Sequence, residues 1–253
     1  MKQTLASQLR ELRLPSFRDQ YESLARHAEK ETLSYEQYLL ELVIRECETR
    51  RTNRIETMLR QSRLPLEKTL ESFDLKRPPA KVSRQVRSLT DGAFVERCEN
   101  VLAFGKPGSG KTHLLAGLSQ ELIRHGKRVY FSPCSLLVQE LLIAKRDLKL
   151  SRVIRRLSRF DAILIDDIGY VQQSREEMEV LFTLLAERYE RGSVLLTSNL
   201  AFSKWDQIFK DAMTTAAAID RLVHHSVIIE LNVQRYRVET AKTKKSPGRS
   251  VLN

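Results

Sequence analysis

The sequence predicts an α/β fold, a parallel sheet sandwiched by helices, with a small all-α domain in front of it. Two observations support this prediction. From about residue 98 onward, short apolar β-rich runs alternate with helical stretches, as in a parallel sheet with right-handed crossovers. Before residue 75 the chain contains no glycine, and its apolar residues recur at helical spacing.

Residues 1–75 are expected to form the helical domain. Ser34 and Gln37 have the spacing of a capping box, which predicts that a helix begins there. The apolar residues at helical spacing fall into three groups: Leu5, Leu9 and Leu12; Tyr21, Leu24, Ala25 and Ala28; and Tyr35, Tyr38, Leu39, Leu42 and Val43.

Residues 76–97 are predicted to be a basic linker. Pro78 and Pro79 are adjacent, and two neighbouring prolines do not fit inside a helix or a central strand. Residues 76–87 carry five basic side chains and no acid, so the segment is either a solvated connector or a tether that contacts phosphates.

Residues 98–241 are predicted to hold the sheet. Their apolar runs are nearly continuous, as expected of strands that are buried on both faces. The predicted strands are residues 100–105, 128–133, 162–168, 193–199 and 226–231. The basic tail, residues 242–253, is expected to be disordered.

Composition limits the partners and the compartment. The net charge of +11 and the pI near 9.7 favour a polyanionic partner, nucleic acid before an anionic membrane. The three cysteines, Cys47, Cys98 and Cys134, have neither metal-ligand spacing nor a disulfide pattern. Without a signal-like N-terminus or a run of about 18 apolar residues, the chain is expected to be soluble and cytoplasmic, with no membrane partner.

A glycine-rich segment between the first predicted strand and the next helix matches the pattern G-x-x-x-x-G-K-[ST]. It consists of Gly105, Lys106, Pro107, Gly108, Ser109, Gly110, Lys111 and Thr112. Such a loop wraps its amides around nucleotide phosphates at a helix N-terminus. Lys111 would reach the β- and γ-phosphates of ATP, and Thr112 would offer its hydroxyl to Mg²⁺. The alternative is a chance glycine-rich turn.

The predicted strand at 162–168 carries the second motif, an apolar run that meets two acids. Asp166 is the candidate ligand of Mg²⁺, and Asp167 is the candidate to orient or deprotonate the attacking water. Taken alone, the pair would also suit an ordinary exit from a strand into a turn.

Two further polar residues complete the set of candidates. Asn199 ends a predicted strand and would lie beside the γ-phosphate if that strand lies between the other two. Arg221, on a helix just before the last strand, is a candidate arginine finger for a neighbour's γ-phosphate. The alternatives are a turn asparagine and a surface arginine paired with an acid.

These four motifs, in this order, resemble the AAA+ ATPases, and more narrowly the clade of bacterial replicative-helicase loaders and IstB-type ATP-binding helper proteins of insertion sequences. The resemblance to the clade rests on Asp166-Asp167-Ile168-Gly169-Tyr170, Thr197-Ser198-Asn199 and Asp220-Arg221-Leu222. Residues 9–14, 36–42 and 70–74 resemble the helical leader of the insertion-sequence branch.

The resemblance implies a helper that binds double-stranded DNA with ATP, self-assembles and works with the transposase of the same element. It also implies a homo-oligomer with nucleotide at subunit interfaces, in which Arg221 acts in trans, Asn199 is the first sensor and Arg237 lies near the nucleotide. Two departures stand out. Asp167 replaces the glutamate of many members, so hydrolysis is expected to be slow, and residues 232–253 allow only a reduced lid.

The most basic stretch, residues 141–160, carries seven Lys or Arg against one Asp and is the candidate DNA-binding segment. Contacts to phosphates with little sequence preference are expected. The alternative is a solvated amphipathic helix on the outside. The candidate DNA-binding residues are Lys145, Arg146, Lys149, Arg152, Arg155, Arg156 and Arg159.

Four functions remain for this sequence. The first is the ATP-dependent DNA-binding helper of transposition, and the second is a helicase loader from the same superfamily. The third is a P-loop small-molecule kinase, which the spread of basic clusters and the Thr-Ser-Asn strand end disfavour. The fourth is a nucleotide-binding module without hydrolysis, which the presence of Lys111 and Asp166 disfavours.

Overall fold

The computed structural model describes residues 2–168, 174–200, 205 and 219–231. The chain divides into two compact units, Met1–Thr57 and Met58–Asn253. Arg237, the tail at 242–253 and the segment expected to form a reduced lid lie outside the described residues. Among the described residues no helix has both the length and the apolar character needed to cross a membrane.

The first unit is helical, as predicted. Helices α1 and α2 cover Lys2–Glu11 and Pro15–Glu31, and α3 runs over Tyr35–Ser62. The predicted capping box begins α3: the Ser34 amide donates to Gln37 Oε1 at 2.8 Å, and the Gln37 amide donates to Ser34 Oγ at 3.2 Å.

A buried carboxylate ties α3 to the start of α2. Glu46 accepts from the Ser16 amide at 2.8 Å and from Arg50 Nε at 2.8 Å, which satisfies an unpaired amide at the N-terminus of α2. Burial would raise the pKa of Glu46. The Arg50 guanidinium and the amide donors outweigh burial, so the pKa lies below its ordinary value.

Only part of the apolar periodicity of this unit is buried. Leu9, Leu24 and Leu42 form its core, whereas the side chains of Leu5, Leu12, Tyr35, Leu39 and Val43 are exposed. Each of the three helices buries one stripe of side chains. Helix α3 carries further apolar side chains outside its buried stripe, and these are exposed.

The second unit alternates helices with strands. Among the residues that the structure describes, its elements in chain order are α4 (Ala80–Leu89), α5 (Ala93–Glu96), β1 (Asn100–Phe104), α6 (Lys111–Arg124), β2 (Val129–Pro133), α7 (Cys134–Arg146), α8 (Leu150–Leu157), β3 (Ala162–Ile168), α9 (Arg175–Arg188), β4 (Ser193–Ser198) and β5 (Ser226–Glu230).

The segment predicted to be a linker, residues 76–97, contains α4 and α5. Pro79 occupies the N-cap of α4, where a missing amide hydrogen costs nothing. Val82, Val86 and Leu89 of α4 are buried. The prolines therefore precede the helix rather than interrupt it, and the domain limits 1–75, 76–97 and 98–241 stay predictions.

The sheet confirms the predicted parallel α/β fold. Its five strands lie in the order β2-β3-β4-β1-β5, and every neighbouring pair is parallel. Strands β1, β3 and β4 hold most of the core, with Leu102, Ile163, Leu164, Leu195 and Leu196 fully buried. Strand β4 lies between β1 and β3, so the ends of these three strands meet at one edge.

Candidate nucleotide-binding site

The carboxyl edge of the sheet brings the predicted motifs together. The glycine-rich loop follows β1, the two acids lie near the end of β3, and Asn199 follows β4. In open parallel sheets, ligands bind in the crevice at this edge.

The loop passes very close to other backbone. A Cβ on Gly105 would lie 2.5 Å from the carbonyl oxygen of Leu231, so only glycine fits there. Gly110 has a φ of +95° at the N-cap of α6, a conformation that favours glycine. The loop therefore delivers its amides to the N-terminus of a 14-residue helix.

The side chain of Ser109 indicates whether a phosphate would fit the loop. Its hydroxyl oxygen is buried beneath the loop and has no hydrogen-bond partner among the described residues. Buried polar atoms are normally paired, so this hydroxyl suits a ligand oxygen.

Lys111 lies across the mouth of the loop. Its ammonium donates to the carbonyls of Gly105 at 2.8 Å and Lys106 at 3.2 Å, and to Asn199 Oδ1 at 2.6 Å. These acceptors are neutral, and a phosphate oxygen would be a stronger, charged acceptor for the same ammonium. Lys111 is therefore held at the place where the phosphates would arrive.

Asp166 is fixed by two hydroxyl groups. Thr112 Oγ1 and Thr197 Oγ1 both donate to its Oδ1, at 2.8 and 2.7 Å. The hydroxyl of Thr112 and the carboxylate of Asp166 are thus adjacent, as the predicted Mg²⁺ site requires. No cluster of three or more acidic, His or Cys side chains suited to a metal occurs in the described ranges. Mg²⁺ commonly binds through one or two protein oxygens, substrate phosphates and water, which matches this donor set.

Asp167 lies where the pairing of β3 with β4 is irregular. The register shifts between Ile165 and Ile168, and Asp167 has a φ of +65°, which is unfavourable for aspartate by about 1 kcal/mol. Its amide donates to Thr197 Oγ1 at 2.7 Å, and its carboxylate accepts from Asn199 Nδ2 at 2.7 Å. The carboxylate of Asp167 lies within hydrogen-bond distance of Asn199, which also bonds Lys111.

Thr197 is the site residue that sequence reasoning missed. The motif Thr-Ser-Asn was noticed, but only its asparagine became a candidate. The Thr197 side chain is fully buried, and its hydroxyl joins both acids. The sequence signal that could have identified Thr197 is its position near the end of the strand that leads into Asn199.

The structure does not bring Arg221 to this site. Asn100 Nδ2, at the start of β1, donates to the carbonyl of Leu222 at 3.0 Å, so this helical segment lies at the amino edge of the sheet. The length of β1 separates it from the loop by roughly 15 Å. The Arg221 guanidinium stacks on the Phe182 ring, 4.9 Å from its centroid.

The candidate DNA-binding residues lie at the end of α7 and along α8. Five of them line a shallow depression of about 930 Å³ together with Glu140: Lys149, Arg152, Arg155, Arg156 and Arg159. Arg156 pairs with Glu140 at 2.5 Å, and Lys145 pairs with Glu179 at 2.9 Å. Arg152, Arg155 and Arg159 are exposed and have no carboxylate partner in the described part of the chain.

The sheet carries the glycine-rich loop, the two acids and the asparagine at one edge. Together with the strand order, this arrangement defines a P-loop nucleotide-binding protein of AAA+ architecture. A family model described as "IstB-like ATP binding protein" matches residues 7–244. The chain therefore belongs to the IstB-like ATP-binding proteins.

Relatives and solved structures agree with this assignment. An insertion-sequence ATP-binding protein of Sinorhizobium fredii is 39% identical over 97% of this chain and 83% of its own. The IS21 ATP-binding protein of Pseudomonas aeruginosa is 40% identical over 90% of this chain and 84% of its own. The structure of the DnaC helicase loader is similar in fold, with a TM-score of 0.56 at 15% identity, over 66% of this chain and 97% of that one.

Proposed function

We propose that this protein is the ATP-dependent DNA-binding helper ATPase of an insertion sequence, which self-assembles on target DNA and assists its transposase in DNA transposition. The relatives support the context, since they are ATP-binding proteins of insertion sequences. One observation supports the mode of action. The site of one subunit holds Lys111, Asp166, Asp167 and Asn199, whereas Arg221 lies at the other edge of the sheet.

Hydrolysis fits the residues present. Lys111 would neutralise phosphate charge, and Asp166 with Thr112 would hold Mg²⁺, which supplies further charge neutralisation when bound. Asp167 would orient the attacking water. Asn199 bonds both Lys111 and Asp167, so it would couple the arrival of the γ-phosphate at Lys111 to the position of the Asp167 carboxylate. Aspartate is one methylene shorter than glutamate, so we expect slow turnover that assembly or DNA accelerates.

The placement of Arg221 supports assembly. Within its own subunit this arginine is too far from the loop to contact nucleotide. A neighbouring subunit would have to present its amino edge to the carboxyl edge of this one, with nucleotide between them. Arg237 would add a second cation near the nucleotide. ATP would then favour the homo-oligomer over the monomer, because only the triphosphate has a γ-phosphate for the finger to contact.

Duplex DNA is the proposed polyanion, bound in the cytoplasm. The depression along α8 has three exposed arginines that lack a carboxylate partner among the residues that the structure describes, and the whole chain carries a net charge of +11. Contacts of this kind reach phosphates rather than base edges, so binding would be strongly salt-dependent and weakly selective for sequence.

The test is a mixing experiment with two variants that are inactive for different reasons. Arg221→Ala keeps the acids, and Asp167→Asn keeps the arginine and an oxygen for Asn199 Nδ2. Each alone should hydrolyse ATP slowly in the presence of DNA. In a random mixture about a quarter of the interfaces combine both intact residues, so activity should reappear.

Arg191→Ala is the matched control, because Arg191 is an exposed arginine that pairs only with Glu187 among the described residues. It should hydrolyse ATP at the wild-type rate. A mixture that regains no activity, with both variants still binding nucleotide, would contradict the trans arrangement.

A further inference from the structure

Arg221 is restrained both through its backbone and through its side chain. Residues 219–223 are helical, and Arg221 lies in the last turn of this segment, shortly before β5. The neighbouring Leu222 is buried in the core, whereas Arg221 is only partly buried. The Arg221 guanidinium lies over the ring of Phe182 in α9, 4.9 Å from the ring centroid.

Asn100, the first residue of β1, holds the backbone of this segment. Its side chain is buried, and its Nδ2 donates to the carbonyls of Leu222 at 3.0 Å and Arg221 at 3.4 Å. Its Oδ1 accepts from the amide of Val194 in β4 at 2.8 Å. The carbonyls of a helix's last turn have no partner within the helix, and here an amide that is anchored to two central strands supplies one. The backbone of Arg221 is therefore tied to the sheet.

Phe182 holds the side chain of Arg221. It packs partly buried against the same core as Leu222, so the fold of α9 sets the position of the ring. A cation over the face of an aromatic ring is attracted by the charge distribution of the ring. A stacked guanidinium presents its flat face to the ring, whereas its N–H donors lie in its own plane. The stack therefore restrains the arginine without itself using a donor.

We propose that Phe182 is a positioning residue for Arg221: the ring on α9 holds the guanidinium in the orientation in which it meets the nucleotide of the neighbouring subunit. This inference rests on the proposed function, in which Arg221 acts in trans. An unrestrained arginine loses rotamer freedom when it contacts a phosphate, and the stack on Phe182 removes part of that loss before assembly. Phe182 thus acts on a nucleotide that it does not touch.

Phe182→Leu removes the ring face and keeps an apolar side chain. For the assembled protein on DNA, kcat should fall about fivefold, because a finger stabilises charge in the transition state. KM for ATP should stay within about twofold of wild type, because the residues that bind the nucleotide are unchanged. Phe182→Met, which also lacks a ring, should behave in the same way, and Phe182→Tyr should keep the wild-type rate.

Phe131→Leu is the matched control, since it makes the same change at another partly buried phenylalanine, on strand β2. It should leave kcat unchanged. A merely structural Phe182 would lower the melting temperature of the ringless variants without lowering kcat of the folded protein, and that result would overturn the inference.

Mixed assemblies identify the subunit whose arginine is impaired. Phe182→Leu mixed with Asp167→Asn should reach about three times the mean of the two separate rates, because about a quarter of the interfaces join intact acids to a fully restrained arginine. Mixed with Arg221→Ala, it should reach only the mean. If Asp167→Asn gave no such gain, the defect would lie in the nucleotide site of the variant's own subunit, and the proposal would fail.

The mixture of Arg221→Ala with Asp167→Asn separates this inference from the proposed function. If that mixture regains activity while Phe182→Leu gains nothing from Asp167→Asn, the trans arginine stands and Phe182 has no part in positioning it. If neither mixture regains activity, the trans arrangement is wrong, and the positioning role is wrong with it.

Discussion

The two edges of the sheet use polar side chains in different ways. At the carboxyl edge such side chains bond to one another as well as to backbone: Lys111 to Asn199, and Thr112 and Thr197 to Asp166. At the amino edge Arg188 and Asn100 bond to backbone. Arg188 donates to the carbonyls of Leu157, Phe160, Asp161 and Ser193, and Asn100 donates to the carbonyls of Arg221 and Leu222.

The difference separates a ligand site from a structural one. A side chain that bonds another side chain can exchange that partner for a ligand atom while the backbone stays in place. An arginine that satisfies four carbonyls holds loops together and has no such freedom. Burial lowers the pKa of Arg188 to about 10, so it remains charged at neutral pH, and Gly192 lets its guanidinium approach the backbone.

The largest expected effect is at the amino edge, on stability alone. Arg188→Met removes a buried guanidinium that donates to four backbone carbonyls and should lower the free energy of unfolding by about 3–5 kcal/mol. Thermal unfolding measures the loss, and nucleotide affinity of the folded protein should stay unchanged. Arg191→Ala, on an exposed ion pair, should cost about 0.5 kcal/mol or less. Equal effects of the two substitutions would contradict the structural role of Arg188.

Lys111→Ala should show the opposite pattern. It removes a charged donor from the phosphate site, and ATP affinity should fall by about two orders of magnitude. The melting temperature should change less than in Arg188→Met, because Lys111 donates to two backbone carbonyls and Arg188 donates to four. Titration with a fluorescent ATP analogue measures the affinity. Wild-type affinity together with normal assembly on DNA would rule out the phosphate-binding role of this loop.

Thr197→Val should have a smaller effect, confined to hydrolysis. The substitution keeps the shape of the side chain but removes the hydroxyl that holds Asp166 and the Asp167 amide. The Mg²⁺ concentration needed for half-maximal ATPase activity should rise, and the maximal rate should fall about tenfold. Thr197→Ser keeps the hydroxyl and should behave like wild type. If valine and serine gave the same Mg²⁺ dependence, Thr197 would be a packing residue only.

The smallest effects are expected along α8. Arg155→Ala removes an exposed cation without a carboxylate partner in the described residues, so the slope of log affinity for duplex DNA against log salt should become shallower by about one. Arg156→Ala is the matched comparison. Its guanidinium is paired with Glu140 and lies 5.8 Å from the Tyr130 ring centroid, so the slope should change less. Slopes that match wild type in both variants would exclude this depression from the DNA interface.

The sequence predicted the fold and the ligand edge because local patterns encode them. Buried strands are continuous apolar runs, and the spacing of Gly105, Lys111 and Thr112 is a local signal. The role of Thr197 could not be read this way, since it depends on β3 lying beside β4 and on the bulge at Asp167. The exposure of Leu39 was also hidden, because periodicity identifies an apolar face without indicating what covers it.

The most direct measurement is particle size on duplex DNA by light scattering, with ATP, a slowly hydrolysed analogue, ADP or no nucleotide. If ATP switches assembly, large complexes should form only when DNA and a triphosphate are both present, and Lys111→Ala should form none. Complexes of the same size under all four nucleotide conditions, or no complexes under any, would contradict an ATP-controlled helper and favour a P-loop enzyme indifferent to DNA.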